Sequence, residues 1–173
     1  MRKVVMSGLV VTVAMISGLV VWSATTDSGI ASVGMQLEEI AQLVVSGDPG
    51  LITLTNAQTT AGLLPTEQTD ATTSLSWTSN VASGTRKITA ALSAAYTTGV
   101  VLKATLAEPA GSNGTSAGEQ TLDTEAVEMF SGIANENCTE ATITYEFSLS
   151  TMITPITETE SKTVTWTLLA AAA

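Results

Sequence analysis

Polar and apolar residues alternate most cleanly over Ala141–Ser150, ATITYEFSLS. Ile143, Tyr145, Phe147 and Leu149 fall on one side, and Thr142, Thr144, Glu146 and Ser148 on the other. An extended chain sends successive side chains to opposite faces, so this rhythm predicts a strand with one dry face. The same period recurs along the chain. SLSWTSN puts Leu75 and Trp77 inward, and TRKITAALSA sets Ile88, Ala90 and Leu92 against Lys87, Thr89 and Ala91. VVLKATLAE sets Val100, Leu102, Ala104 and Leu106 against Lys103 and Thr105, and KTVTWTLL turns Val164, Trp166 and Leu168 inward. LITLTN carries Ile52 and Leu54 in phase, while Val127–Phe130 is a shorter and weaker strand signal. Near the N terminus, SVGMQLEEIAQLVV places Val33, Met35 and Leu37 on one face. It slips phase at Glu38-Glu39 and resumes at Leu43 and Val45, as a bulge or break would produce.

Turn chemistry separates these segments: SGDPG, ASG at Ala82–Gly84, TTG, and the long PAGSNGTSAGE. Ala57–Thr73 reads as a long polar connection anchored by Leu63-Leu64. MQLEEIAQLVV and AALSAAY could be wound as helices, but Thr, Val and Ile dominate their surroundings and turns bound each piece. The expected architecture is therefore all-β: a single β-sandwich, immunoglobulin-like or fimbrial-like, of about eight or nine antiparallel strands.

The first residues follow a different rule. Arg2 and Lys3 precede a run from Val4 to Trp22 that carries no charge, a basic then apolar order that marks an export signal. The expected division is an export signal over 1–24 and a sandwich over 25–173, with the product extracellular, on the cell surface or periplasmic. The run is close to bilayer length, so retention as an anchor is a second reading, and the segment is then the one membrane contact. A pilin-type leader cut after Gly8 is a third, although Val13 stands where such a helix carries glutamate.

Charge narrows the partners. Without Arg2 and Lys3, four basic residues face 16 carboxylates, a net charge of −12. That surface repels phosphate backbones and anionic headgroups, which excludes nucleic acid as an expected partner. Cys138 is alone, so no disulfide forms within the chain; it reads as a half-buried small apolar residue, or else as one half of an intermolecular bridge.

Catalytic chemistry has few carriers. With no histidine, Ser-His-Asp and Cys-His arrangements are excluded within one chain, and the commonest zinc ligand is missing. Arg86-Lys87 reads as a solvated basic pair at a strand start. Glu119, Asp123, Glu125 and Glu128 could supply a carboxylate pair, but they read more simply as solvated loop acids. Asn135, Glu136, Asn137 and Glu140 gather hard oxygen ligands near a turn, a calcium candidate whose spacing matches no defined calcium loop. No catalytic residue and no cofactor are expected. Asn113 and Asn137 head glycosylation sequons of the kind that arise by chance in such a chain. Of the aromatics, Tyr96 beside a turn is the one expected at the surface, where a ring could stack on a sugar.

SLSWTSNVASGTRKITAAL, ATLAEPAGSNGTSAG, FSGIANENCTEATITYEFSLS and SKTVTWTLL together resemble a group of small exported bacterial β-proteins. TWTLL is also similar to the Trp-x-Leu ending of Gram-positive cell-wall-binding domains; at the place of a second such motif, Trp77 is followed by Ser79 instead. The expectation is an exported, non-enzymatic structural or surface protein, a fimbria-, coat- or matrix-like subunit assembling with itself or other surface proteins through strand edges. Thr25–Leu37, with Val33, Met35 and Leu37, is the candidate donor strand, or alternatively the first strand of its own sheet. A monomeric module binding polysaccharide or cell wall is the other reading.

Overall fold

A computed structural model describes residues 34–81, 86–156 and 158–170. Among the described residues nine strands form: β1 (Ala41–Ser46), β2 (Gln68–Ser79), β3 (Arg86–Leu92), β4 (Val100–Leu106), β5 (Thr115–Ser116), β6 (Glu119–Thr121), β7 (Val127–Ile133), β8 (Glu136–Leu149) and β9 (Val164–Ala170). They pair into a five-stranded sheet, β1-β2-β8-β4-β6, and a four-stranded sheet, β5-β7-β3-β9, with every pairing antiparallel. This is the all-β sandwich that the alternation predicts. From β2 onward each strand lies in the opposite sheet from the one before it, and β1–β2 is the one pair of sequence neighbours that are also sheet neighbours.

The core lies where the period-two faces meet. Leu75 and Trp77 of β2, Ile88, Ala90 and Leu92 of β3, Leu102, Ala104 and Leu106 of β4, Ile143 and Tyr145 of β8 and Trp166 of β9 are all buried, on the faces the pattern assigns them. Met129, Phe130 and Ile133 join them from β7. Trp77 and Phe130 pack with ring centroids 5.1 Å apart at a tilted 53°, close to the offset geometry aromatic pairs prefer. Burying a large apolar side chain contributes about 1.5–3 kcal/mol, so this cluster supplies the stability that a chain without an internal disulfide needs.

Several expectations change. LITLTN forms no strand: Ile52 and Leu54 are half-buried in phase, but Leu51–Thr55 pairs with nothing among the described residues. β2 begins at Gln68, so the last six residues of the supposed polar connection are its first half. Thr and Gln there satisfy a ladder without offering an apolar face, which hides the strand from a hydrophobic pattern. The loop after β4 contains the short β5, and β6 begins at its last residue. Arg86 is buried rather than solvated, ion-paired through Nη2 with Glu39, and Thr89 is buried on the outward side of β3, the strand flanked by β7 and β9. The first described strand begins only at Ala41. Gly34–Ile40 is not strand, and Val33 lies outside the described residues, as does the export segment.

Leu37–Ala173 forms one compact unit. In the other unit, Met1–Gln36, the described residues Gly34–Gln36 are exposed.

Candidate interaction edge and the fate of the expected site residues

A sandwich has four sheet edges, and these are unequal. On one side the outermost strands are β5 and β6, only two and three residues long. On the other side they are β1 and β9, of six and seven residues, which lie alongside one another. β1, AQLVVS, pairs with β2 without a register shift from Ala41↔Ser79 to Ser46↔Ser74. It has no charge, no proline and no bulge, and its other side has no strand partner among the described residues. Antiparallel partners share a face, so Leu43 opposite Trp77 and Val45 opposite Leu75 point toward the core. Leu43 packs against the core, yet Val45 remains 45% exposed and Val44 on the outward face 57% exposed. β9, VTWTLLA, is equally uncharged, with Leu169 exposed.

The entry into β1 is held by Asn80. Its Nδ2 donates to the Glu38 carbonyl at 2.7 Å, and its Oδ1 accepts from the Ile40 amide at 2.6 Å. Its own amide donates to the Ile40 carbonyl at 3.4 Å. Leu37–Ile40 contains no turn or bend, so Glu38–Ile40 continues the line of β1 along the end of β2. The Glu39–Arg86 ion pair ties this entry to β3 of the opposite sheet.

Met35 and Leu37, two of the three donor-strand residues, are 92% and 70% exposed. Tyr96 is not the free ring expected: it is half-buried against the core, edge-on to Phe147 at 6.3 Å, with Lys162 Nζ 6.0 Å from its centroid. Burial raises its hydroxyl pKa.

The calcium candidates do not form a cage of free ligands. Asn135 is an exposed residue of the turn before β8, and Asn137 is exposed on β8. The Glu136 carboxylate is already occupied by protein donors: Trp77 Nε1 at 2.8 Å, the Asn113 amide at 2.7 Å and Ser112 Oγ at 3.3 Å. Glu140 stands at a bulge, where it and Thr139 face Ser76 alone. It adopts φ +56°, and its amide donates to Ser76 Oγ at 3.0 Å. Among the described residues no three Asp, Glu, His or Cys side chains lie together as a metal site. Ser112, Glu136 and Cys138 line a cleft of about 240 Å³ under Pro109–Gly111. Its thiol is buried and its pKa is raised, first by burial and then by the Glu136 charge, so the reactive thiolate is disfavoured.

The loop acids scatter. Glu128 pairs with Lys87 at 3.2 Å, Glu119 shares Lys103 with Glu146 at 2.8 Å each, and Asp123 and Glu125 are exposed. These pairs span neighbouring strands β7–β3 and β6–β4–β8, so they serve the sheets. Trp166, the tryptophan of the wall-binding-like ending, is buried and donates to the Tyr145 hydroxyl at 3.1 Å.

No protein-family model, curated protein or solved structure matches the chain.

Proposed function

We propose that this chain is an exported, non-enzymatic structural or surface protein, a fimbria-, coat- or matrix-like subunit that assembles through a sheet edge. The observation that carries the reading is β1: a regular edge strand with exposed Val44 and Val45 and none of the usual protection. Folded proteins ordinarily blunt an edge with charge, proline, a bulge or shortness, because unpaired backbone groups template pairing with another chain. Here β5 and β6 are blunted by shortness, while β1 and its neighbour β9 are not. Selection for solubility alone gives no reason to leave one side open.

The carbohydrate- or wall-binding reading asks for a flat row of exposed rings. Trp77, Phe130, Tyr145 and Trp166 are buried and Tyr96 and Phe147 half-buried, so the geometry favours assembly.

Size-exclusion chromatography across a concentration series, with negative-stain electron microscopy of the same fractions, tests this. Concentration-dependent oligomers or fibres are expected. A clean monomer without fibres at high concentration overturns the reading.

A further inference from the structure

We infer that the occupant of the β1 edge is the Thr25–Leu37 segment of a second copy of this chain, added as an extra strand. This rests on the assembly reading above and specifies its interface.

Two complementary features stand on one molecule. The first is the acceptor: β1 offers an uncharged, unbroken backbone edge, and on its core-facing side Val45 is only partly covered. An added strand with a matching apolar face would cover Val45 and extend the dry face beyond Leu43. The second is the donor. Val33, Met35 and Leu37 alternate with Gly34 and Gln36, the period of a strand with one greasy face. Met35 and Leu37 are nevertheless exposed, and Gly34–Ile40 belongs to no strand. Val33–Leu37, the apolar end of the segment, is free of charge, as is β1, and Asp27 is the one charge between Thr25 and Leu37, so the pairing of two acidic chains meets little repulsion between the paired strands themselves.

The occupant is a second copy rather than the same one because of Asn80. It holds Glu38–Ile40 in line with β1, and Leu37–Ile40 has no turn. A hairpin that returned Thr25–Leu37 onto the β1 of its own chain would need a reversal at this point. A donor on one copy and an acceptor on the next make a head-to-tail contact, and such contacts propagate into open fibres when the rotation does not close a ring. Backbone hydrogen bonds supply the pairing, and alternate side chains set its register.

The test uses the full chain as its host processes it. The donor variant Met35→Asp/Leu37→Asp alters exposed side chains and leaves the fold intact; the acceptor variant is Val45→Asp. Each alone is expected to be monomeric by light scattering under conditions where the parent polymerises. Mixed in equal amounts, they are expected to stop at particles of twice the monomer mass, since one good donor meets one good edge. If Val45→Asp fails to fold, the donor variant is added to the parent at one part in ten, where it caps growing ends and shortens the fibres. A donor variant that polymerises like its parent overturns this inference while leaving edge assembly in place. A parent that is monomeric throughout overturns the assembly reading itself.

Discussion

At the scale of single residues, Glu136 does the work of a small structural hub. It stands at the first position of β8, opposite Ser79, and its carboxylate gathers the Trp77 indole and the Ser112–Asn113 corner of the glycine-rich loop. The Ser112 hydroxyl in turn accepts from the Gly114 amide at 3.1 Å. Gly114 lies so close to Phe130 that an added Cβ would overlap the ring and come within 2.6 Å of the Ser131 carbonyl. The loop is thus fastened from both ends onto the Trp77–Phe130 pair. Removing an acceptor leaves buried donors unpaired, which costs about 1–3 kcal/mol. Glu136→Ala is therefore expected to lower unfolding stability by roughly 2 kcal/mol in urea titration. Glu136→Gln, which keeps an acceptor oxygen for the indole, should lose less than half of that. Equal losses would mean the carboxylate acts through charge rather than through the Trp77 bond. By sequence Glu136 groups with the oxygen ligands of a turn. Its bond to Trp77 is not legible there, because the two residues are 59 positions apart and meet only once β2 and β8 pair.

At the scale of elements, bulges decide which strands the hydrophobic pattern reveals. The inward faces of β3, β4 and the second half of β8 are legible because their period two is unbroken there. β7 gives a weak signal for a physical reason. Its pairing with β3 shifts twice, leaving Gly132 unmatched at φ +78° and Met129 unmatched beside Phe130. The second shift lets two consecutive residues, Met129 and Phe130, both be buried, which no alternating template anticipates. In β2 the shift between Asp70 and Thr73 is built by Asp70, whose Oδ1 accepts from the Thr72 amide at 3.0 Å and the Thr72 hydroxyl at 2.7 Å. Those bonds, the backbone one first, hold the Asp70 pKa below its ordinary 3.8. Glu160 is likewise held below its ordinary 4.5, chiefly by the Thr97 amide. A depressed folded pKa gives stability that is fully present above the unfolded value and is lost as pH falls through the folded one. The melting temperature is therefore expected to fall as pH drops from about 4.5 toward 3. Asp70→Asn should flatten part of that slope. An unchanged slope in Asp70→Asn would show that the turn does not depend on the ionised carboxylate.

At the scale of the whole molecule, the order of strands was not legible at all. Successive strands from β2 onward alternate between sheets, and the pairings β2–β8, β4–β8, β3–β7 and β3–β9 join distant parts of the chain, so local pattern says which face is dry but not which strand lies beside it. The proposed interaction edge is half legible. The donor period is in the sequence, whereas the acceptor is visible only once β1 is seen at the outside of its sheet. The global charge then makes a prediction that separates this interface from one built on ion pairs. The chain carries −10 at neutral pH, and −12 without Arg2 and Lys3, so copies approaching one another repel. The proposed contact itself, Thr25–Leu37 against Ala41–Ser46, carries Asp27 alone and no pair of opposite charges whose attraction could offset this. Screening shortens the reach of repulsion from about 30 Å at 0.01 M salt to about 10 Å at 0.1 M and leaves backbone pairing and apolar burial in place. Raising sodium chloride from 10 to 500 mM at pH 7 should therefore lower the concentration needed for assembly, on the order of tenfold, and speed fibre growth in light scattering. Complementary charged patches would give the opposite sign, because screening weakens their attraction. Assembly that dissolves as salt rises would place the interface elsewhere on the surface, away from β1.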